Sequence, residues 1–139
     1  MSKRYTLALL VILAFCQCYK EPAPLRVRYH NQTNEALDNI RAALLQDNGY
    51  TPVGKLAPGA YSDWITVDQL ENYCTGPAHY LEGTTPAQPF VASAFHDCLV
   101  GETPVVYTTG DLTFTIRPWD FSWWWINDGK LRYELKLEE

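Results

Sequence analysis

Unbroken two-residue alternation in two segments, residues 25–30 and 131–138, restricts what the chain can fold into. Leu131, Tyr133, Leu135 and Leu137 fall on one side of an extended backbone, and Arg132, Glu134, Lys136 and Glu138 on the other. Residues 25–30 repeat the pattern, with Leu25, Val27 and Tyr29 opposite Arg26, Arg28 and His30. Period two is the signature of a strand with one buried face, because successive side chains on a pleated backbone point to opposite sides. A chain with two such segments must cover the apolar side of a sheet. The nine Tyr, five Trp and five Phe suit such half-buried pleated surfaces.

Turn signals divide the segment between these strands. Asn31-Gln32-Thr33-Asn34, Asp47-Asn48-Gly49, Ala57-Pro58-Gly59 and Asn127-Asp128-Gly129-Lys130 supply residues that accept tight backbone geometry. Residues 51–56 read as a short strand. Residues 61–67 alternate, with Tyr61, Asp63, Ile65 and Val67 on one side and Ser62, Trp64 and Thr66 on the other, as an exposed or edge strand. Residues 68–73 fit a single helical turn, and residues 90–100 an apolar strand or buried connector. Segments 105–107 and 112–117 flank Thr108-Thr109-Gly110-Asp111 as a hairpin, with Leu112, Phe114 and Ile116 facing inward. Residues 34–46 carry two readings. Leu37, Ile40 and Leu44 recur at helical spacing behind a capping Asn34, while a strand over 39–45 would pair back onto the first. Short strands with frequent turns predict an all-β chain. The expected architecture is one antiparallel β-sandwich of the immunoglobulin or transthyretin type over residues 25–139, preceded by a signal segment.

The N-terminus carries the layout of that signal. Lys3 and Arg4 precede an uncharged run over residues 7–15, too short to span a bilayer as a helix, and Cys16 and Cys18 follow at once. Residues 1–18 are therefore expected to direct export, and residues 19–24, with Pro22 and Pro24, to form an extended tether. Cleavage could release a soluble protein. Alternatively Cys16, with Cys18 as second choice, becomes the lipid-modified first residue of an envelope lipoprotein held to the membrane. Outside the cytoplasm Cys74 and Cys98 are expected to pair. Closing the 23-residue loop between them would stabilise the fold by roughly 3 kcal/mol. That loop, with Gly76, Pro77, Gly83, Pro86 and Pro89, promises little regular structure of its own.

Charge narrows the partners. Loss of Lys3 and Arg4 leaves 9 basic against 16 acidic residues, a net charge of −7. An acidic chain without clustered Lys and Arg opposes binding to nucleic acid.

The order of segments resembles a set of small exported lipoproteins of Bacteroidetes-type bacteria. The resemblance rests on Arg26-Val-Arg-Tyr-His-Asn31, Leu37-Asp-Asn-Ile40, the Tyr-Thr-Pro-Val-Gly run and Pro-Gly turn within residues 49–67, Ile116-Arg-Pro-Trp-Asp-Phe121, and Gly129-Lys-Leu-Arg-Tyr-Glu-Leu135. It covers about two-thirds of the chain after the signal. It implies a single β-sandwich domain in the cell envelope and supplies no catalytic residue. It also implies strand for residues 37–45, against their local propensity. The cysteine-flanked loop and the Trp123-Trp124-Trp125 run depart from the pattern.

The candidate chemistry is sparse. Trp119, Phe121, Trp123, Trp124 and Trp125 crowd seven residues. In a strand Trp119, Phe121, Trp123 and Trp125 would share a face that reads first as core, leaving Trp124 opposite. The alternative is an exposed subset, Trp124 with Trp64, as a candidate ligand platform, since rigid rings stack on sugar faces at little entropic cost. Cys74, His79, His96 and Cys98 are the residue types of tetrahedral zinc, but their spacing fits no zinc finger and a disulfide would consume the thiolates. Ser93, His96 and Asp97 are triad residue types without a nucleophile elbow. The carboxylates Asp63 with Asp68, or Asp120 with Asp128, fit solvated surface acids better than a glycosidase pair. Asn31-Gln32-Thr33 is a glycosylation sequon. The expectation is a binding or envelope-assembly module without cofactor or resident metal, its partner a glycan or an envelope protein. A carbohydrate-binding module and a secreted metal-dependent hydrolase using the 74–98 loop are the rivals.

Overall fold

The computed structural model describes residues 21–44, 49–72, 79–93, 105–119 and 128–138. The two alternating segments form strands: β1 (Leu25–Asn31), with Leu25, Val27, Tyr29 and Asn31 buried, and β10 (Leu131–Leu137), with Tyr133 and Leu135 buried. Between them come β2 (Leu37–Leu44), β3 (Tyr50–Leu56), β4 (Ile65–Val67), β5 (Leu70–Asn72), β6 (His79–Thr84), β7 (Pro89–Ser93), β8 (Val105–Tyr107) and β9 (Gly110–Pro118). Among the described residues there is no helix, and the fold is all-β. Residues 37–44 are strand, as the resemblance implies and local propensity does not.

Eight strands make one sheet in the order β3-β2-β6-β7-β10-β9-β1-β4, and β5 pairs with β8 in a separate ribbon. The sheet is mixed, which corrects the antiparallel expectation: β1 runs parallel to β9, and β7 parallel to β10. Alternation encodes which side of a strand is buried, not the direction of its neighbour. Parallel neighbours need long connections, and these pairs join distant parts of the chain. Three local expectations also change. Residues 70–72 are strand rather than a helical turn. β8 pairs with β5 and not with β9, so no hairpin forms across residues 108–111. Part of the expected irregular loop is β6, which pairs with both β2 and β7. Cys74 and Cys98 lie outside the described residues.

The sheet is strongly curled. β1 and β6 stand four places apart in it, about 19 Å if it were flat. Yet the Tyr29 hydroxyl lies 2.6 Å from His79 Nε2. The interior thus enclosed holds Val27, Tyr29, Leu37, Ile40, Leu81, Phe90 and Ile116, each at most 2% exposed. Burying each of the larger of these side chains contributes roughly 1.5–3 kcal/mol. β3 forms one edge of the sheet, and it is blunted by Pro52, by Gly54 at φ +99° and by Lys55, which discourage pairing with another chain.

Asn31 closes the curl. Its Nδ2 donates to Glu35 O at 2.9 Å and Leu56 O at 3.1 Å. Its Oδ1 accepts from Thr33 N at 3.0 Å and Thr33 Oγ1 at 2.7 Å. One fully buried amide therefore ties the end of β1 to the end of β3, six places away in the sheet. Both amide protons are engaged inside the fold, so the sequon serves architecture.

Candidate binding surface

The outward row of β1 consists of Arg26, Arg28 and His30, spaced about 6.8 Å apart by the pleat. On one flank lie acceptors. Arg26 makes a two-point pair with Asp111, Nε to Oδ1 at 2.8 Å and Nη2 to Oδ2 at 2.5 Å. Arg28 Nε donates to Thr113 Oγ1 at 3.0 Å, and His30 Nδ1 donates to Glu138 Oε1 at 2.9 Å. The parallel register sets the first two contacts, since Asp111 and Thr113 sit directly beside Arg26 and Arg28. The hydrogen bonds from Arg26 hold the Asp111 carboxyl below its usual range.

On the other flank lie rings. Tyr61 stacks on His30 with centroids 4.0 Å apart and planes 14° apart. Arg28 lies 4.5 Å from the Tyr61 ring and 4.5 Å from the Trp64 ring, and Arg26 lies 5.0 Å from Trp64. Rings spaced between rows 6.8 Å apart settle near stacking distance, so the two sets interleave: His30, Tyr61, Arg28, Trp64, Arg26. Each guanidinium is thus fixed by an acceptor beside it and a ring over it.

A bulge makes this possible. His30 pairs with Tyr61 and Val27 with Ile65, so Arg28 and Tyr29 face three residues, Ser62, Asp63 and Trp64. The extra residue turns Tyr61 and Trp64 to the same side, where uninterrupted alternation would separate them. Ser62 locks it in place. Its N donates to Tyr29 O at 2.8 Å, and its Oγ accepts from Tyr29 N at 2.9 Å. Tyr61 remains 48% exposed and Trp64 half-buried. Tyr61, Arg26, Arg28 and His30 escape a reading by residue type, although the shared outward parity of the last three is visible in the sequence.

No family model matches the chain, and no curated protein matches it. A solved NMR structure of a protein from Eubacterium rectale is 17% identical to it, with a TM-score of 0.47, covering 88% of this chain and 96% of that chain.

The other sequence candidates fare differently. Trp124, Cys16, Cys18, Cys74, His96, Asp97, Cys98 and Asp120 lie outside the described residues. Ser93 is buried at 8% exposure on β7, directly between Tyr80 and Glu134 in register. Asp63 and Asp68 are exposed. Asp128 is engaged by Arg132 Nη2 at 2.6 Å and by Lys130 N at 3.2 Å. Among the described residues no group of three His, Cys, Asp or Glu gathers to hold a metal. His79 is an interior residue, 2% exposed, with its ring edge-on to Phe114 at 4.8 Å. Burial pushes its pKa down to about 4 and that of Tyr29 upward. A neutral ring therefore accepts the Tyr29 proton at Nε2 and carries its own hydrogen on Nδ1, which has no partner among the described residues.

Proposed function

We propose that this chain is an exported, lipid-anchored, non-enzymatic binding module, akin to the small envelope lipoproteins it resembles, and that it docks saccharide on the Tyr61–Trp64 face. The interleaved strip carries the reading. Its two arginines stand beside two carboxylates, Asp111 bonded to Arg26 and Glu138 bonded to His30, so it offers little net charge to an ionic partner. What it presents is the outer edges of rings held rigid before binding by the groups over their faces, beside hydroxyl, carboxylate and guanidinium groups that suit sugar hydroxyls. Preorganised groups lose little entropy on binding. The basic start, the apolar run and Cys16 support export and anchoring, and residues 19–24 would then hold β1 off the membrane. An immunoglobulin- or transthyretin-like sandwich is part of the same proposal. Its two layers would be the halves of the curled sheet, β3-β2-β6-β7 and β10-β9-β1-β4, facing each other across Tyr29 and His79.

The test is a glycan panel probed with the purified chain from residue 19 onward. Trp64→Ala and Tyr61→Ala are each expected to weaken binding about tenfold or more while the thermal transition persists. Binding that survives both substitutions, or a panel on which the unaltered protein binds nothing, overturns the saccharide reading.

A further inference from the structure

At the other end of the strand order the sheet carries a second concavity, and we infer that it is a binding site for a carboxylate-bearing sugar. The groove encloses about 630 Å³ over β2, β3, β6 and β7. That volume is in the range of small-ligand sites. It exists because β2 is bulged. Asp38 pairs with Thr84 and Arg41 with Glu82, so Asn39 and Ile40 together face the single residue Gly83. The extra residue lets Ile40 point into the core at 2% exposure. It also leaves Asn39 exposed at the groove with φ +49°, a left-handed backbone that asparagine tolerates better than most residues. Opposite, Gly54 has nothing within 4 Å of the position a Cβ would take, so the groove stays open there.

Charge identifies the ligand. Glu82 Oε2 accepts from Arg41 Nη2 at 3.0 Å, and its Oε1 lies 3.8 Å from Lys130 Nζ. Among the described residues two cations share one carboxylate, which leaves one positive charge unmatched. The neighbouring pairs, Lys55 with Asp38 and Arg132 with Asp128, are internally neutral. In a chain that is acidic overall this is a local positive site. Arg41 is held in position by the Tyr50 ring 4.2 Å away, and the Tyr50 hydroxyl lies 3.0 Å from that of Tyr80. The remaining lining combines the Asn39 amide and Thr84 hydroxyl with the apolar faces of Pro52 and Pro89. Adjacent amide and hydroxyl groups fit the vicinal hydroxyls of a pyranose, the prolines fit its C–H face, and the unmatched cation fits a ring carboxylate. This site shares no residue with the Tyr61–Trp64 face and does not depend on it.

The probes are methyl β-glucuronide, methyl β-glucoside and acetate, titrated by NMR into the chain from residue 19 onward. The glucuronide is expected to shift the Asn39, Arg41, Thr84 and Lys130 amides, to bind about tenfold more tightly than either other probe, and to weaken with added salt. Arg41→Ala with Lys130→Ala should abolish that preference. Asn39→Gly relieves the left-handed strain, so it should keep or raise the thermal midpoint while weakening glucuronide binding. Trp64→Ala should leave it unchanged. Equal binding of glucuronide and glucoside, a preference that survives the double substitution, tight acetate binding without need of the sugar ring, or no glucuronide binding at all would each overturn the inference.

Discussion

Two single residues carry more of the architecture than their types suggest. Asn31 satisfies four hydrogen bonds from a fully buried amide and joins strands six places apart in the sheet. Alanine there would take the amide donor from the Leu56 carbonyl and the acceptor from Thr33 N, while Thr33 Oγ1 keeps the Glu35 carbonyl at 3.1 Å. Asn31→Ala is expected to lower stability by about 2–4 kcal/mol in chemical denaturation. An effect under about 0.5 kcal/mol would mean the curl is held elsewhere. His79 sets an acid limit. Its ordinary pKa is 6.5, and burial takes it to about 4 in the fold. The unfolded chain therefore binds a proton that the folded chain refuses between these values. Stability attributable to His79 is intact above pH 6.5 and is lost as pH falls toward 4, by roughly 3 kcal/mol in all. His79→Gln keeps an acceptor for Tyr29 and cannot titrate. The difference in Tm between the two proteins should narrow from pH 7 to pH 4, and a constant difference would contradict the assignment.

Bulges decided which elements were legible. β1 and β10 are unbulged on their buried faces, so plain alternation reveals them. β2 carries one extra residue between Asp38 and Arg41, and its buried residues fall at 37, 40, 42 and 44. A step of three followed by steps of two imitates the spacing of a helix, which is why Leu37, Ile40 and Leu44 read as one helical face. The same device between Tyr61 and Ile65 puts Tyr61 and Trp64 together and hides the aromatic side of the candidate surface. Pairing partners were hidden for another reason. Thr108-Thr109-Gly110-Asp111 has turn chemistry, but β9 finds its neighbours in β1 and β10, strands that lie far off in sequence. Gly83, opposite the β2 bulge, gives an element-scale prediction. A Cβ there would stand 2.6 Å from Phe90 Cε1 and 2.8 Å from the Asp38 carbonyl oxygen. The backbone atom cannot yield as a side chain can. Gly83→Ala should lower stability by about 1–3 kcal/mol, and a calorimetric midpoint equal to that of the unaltered protein would show that the bulge is plastic.

For the whole molecule, the consequence of the topology is that the first strand is an inner one. β1 lies between β9 and β4, and its full length is registered against residues 110–116, so it stays unpaired on one side until the chain is nearly complete. Folding must close that long loop before the parallel contacts form, and sheets with such separated partners fold in milliseconds to seconds. If the chain is exported as proposed, slow closure would serve a route that carries polypeptides across a membrane unfolded. The segment before β1 and the strand itself make opposite contributions to stability. Residues 21–24 are exposed, whereas Leu25, Val27, Tyr29 and Asn31 are at most 1% exposed. A chain starting at Leu25 should keep its Tm within about 2 °C of one starting at residue 19, since exposed termini contribute little. A chain starting at residue 32 loses the seven registered pairs with β9 together with the Asn31 node, and should show no cooperative transition at all. Refolding of the longer chain, followed by tryptophan fluorescence after rapid dilution from denaturant, should be a phase of milliseconds or slower. A cooperative transition without β1, or refolding in microseconds, would mean that the parallel centre of the sheet does not govern the fold.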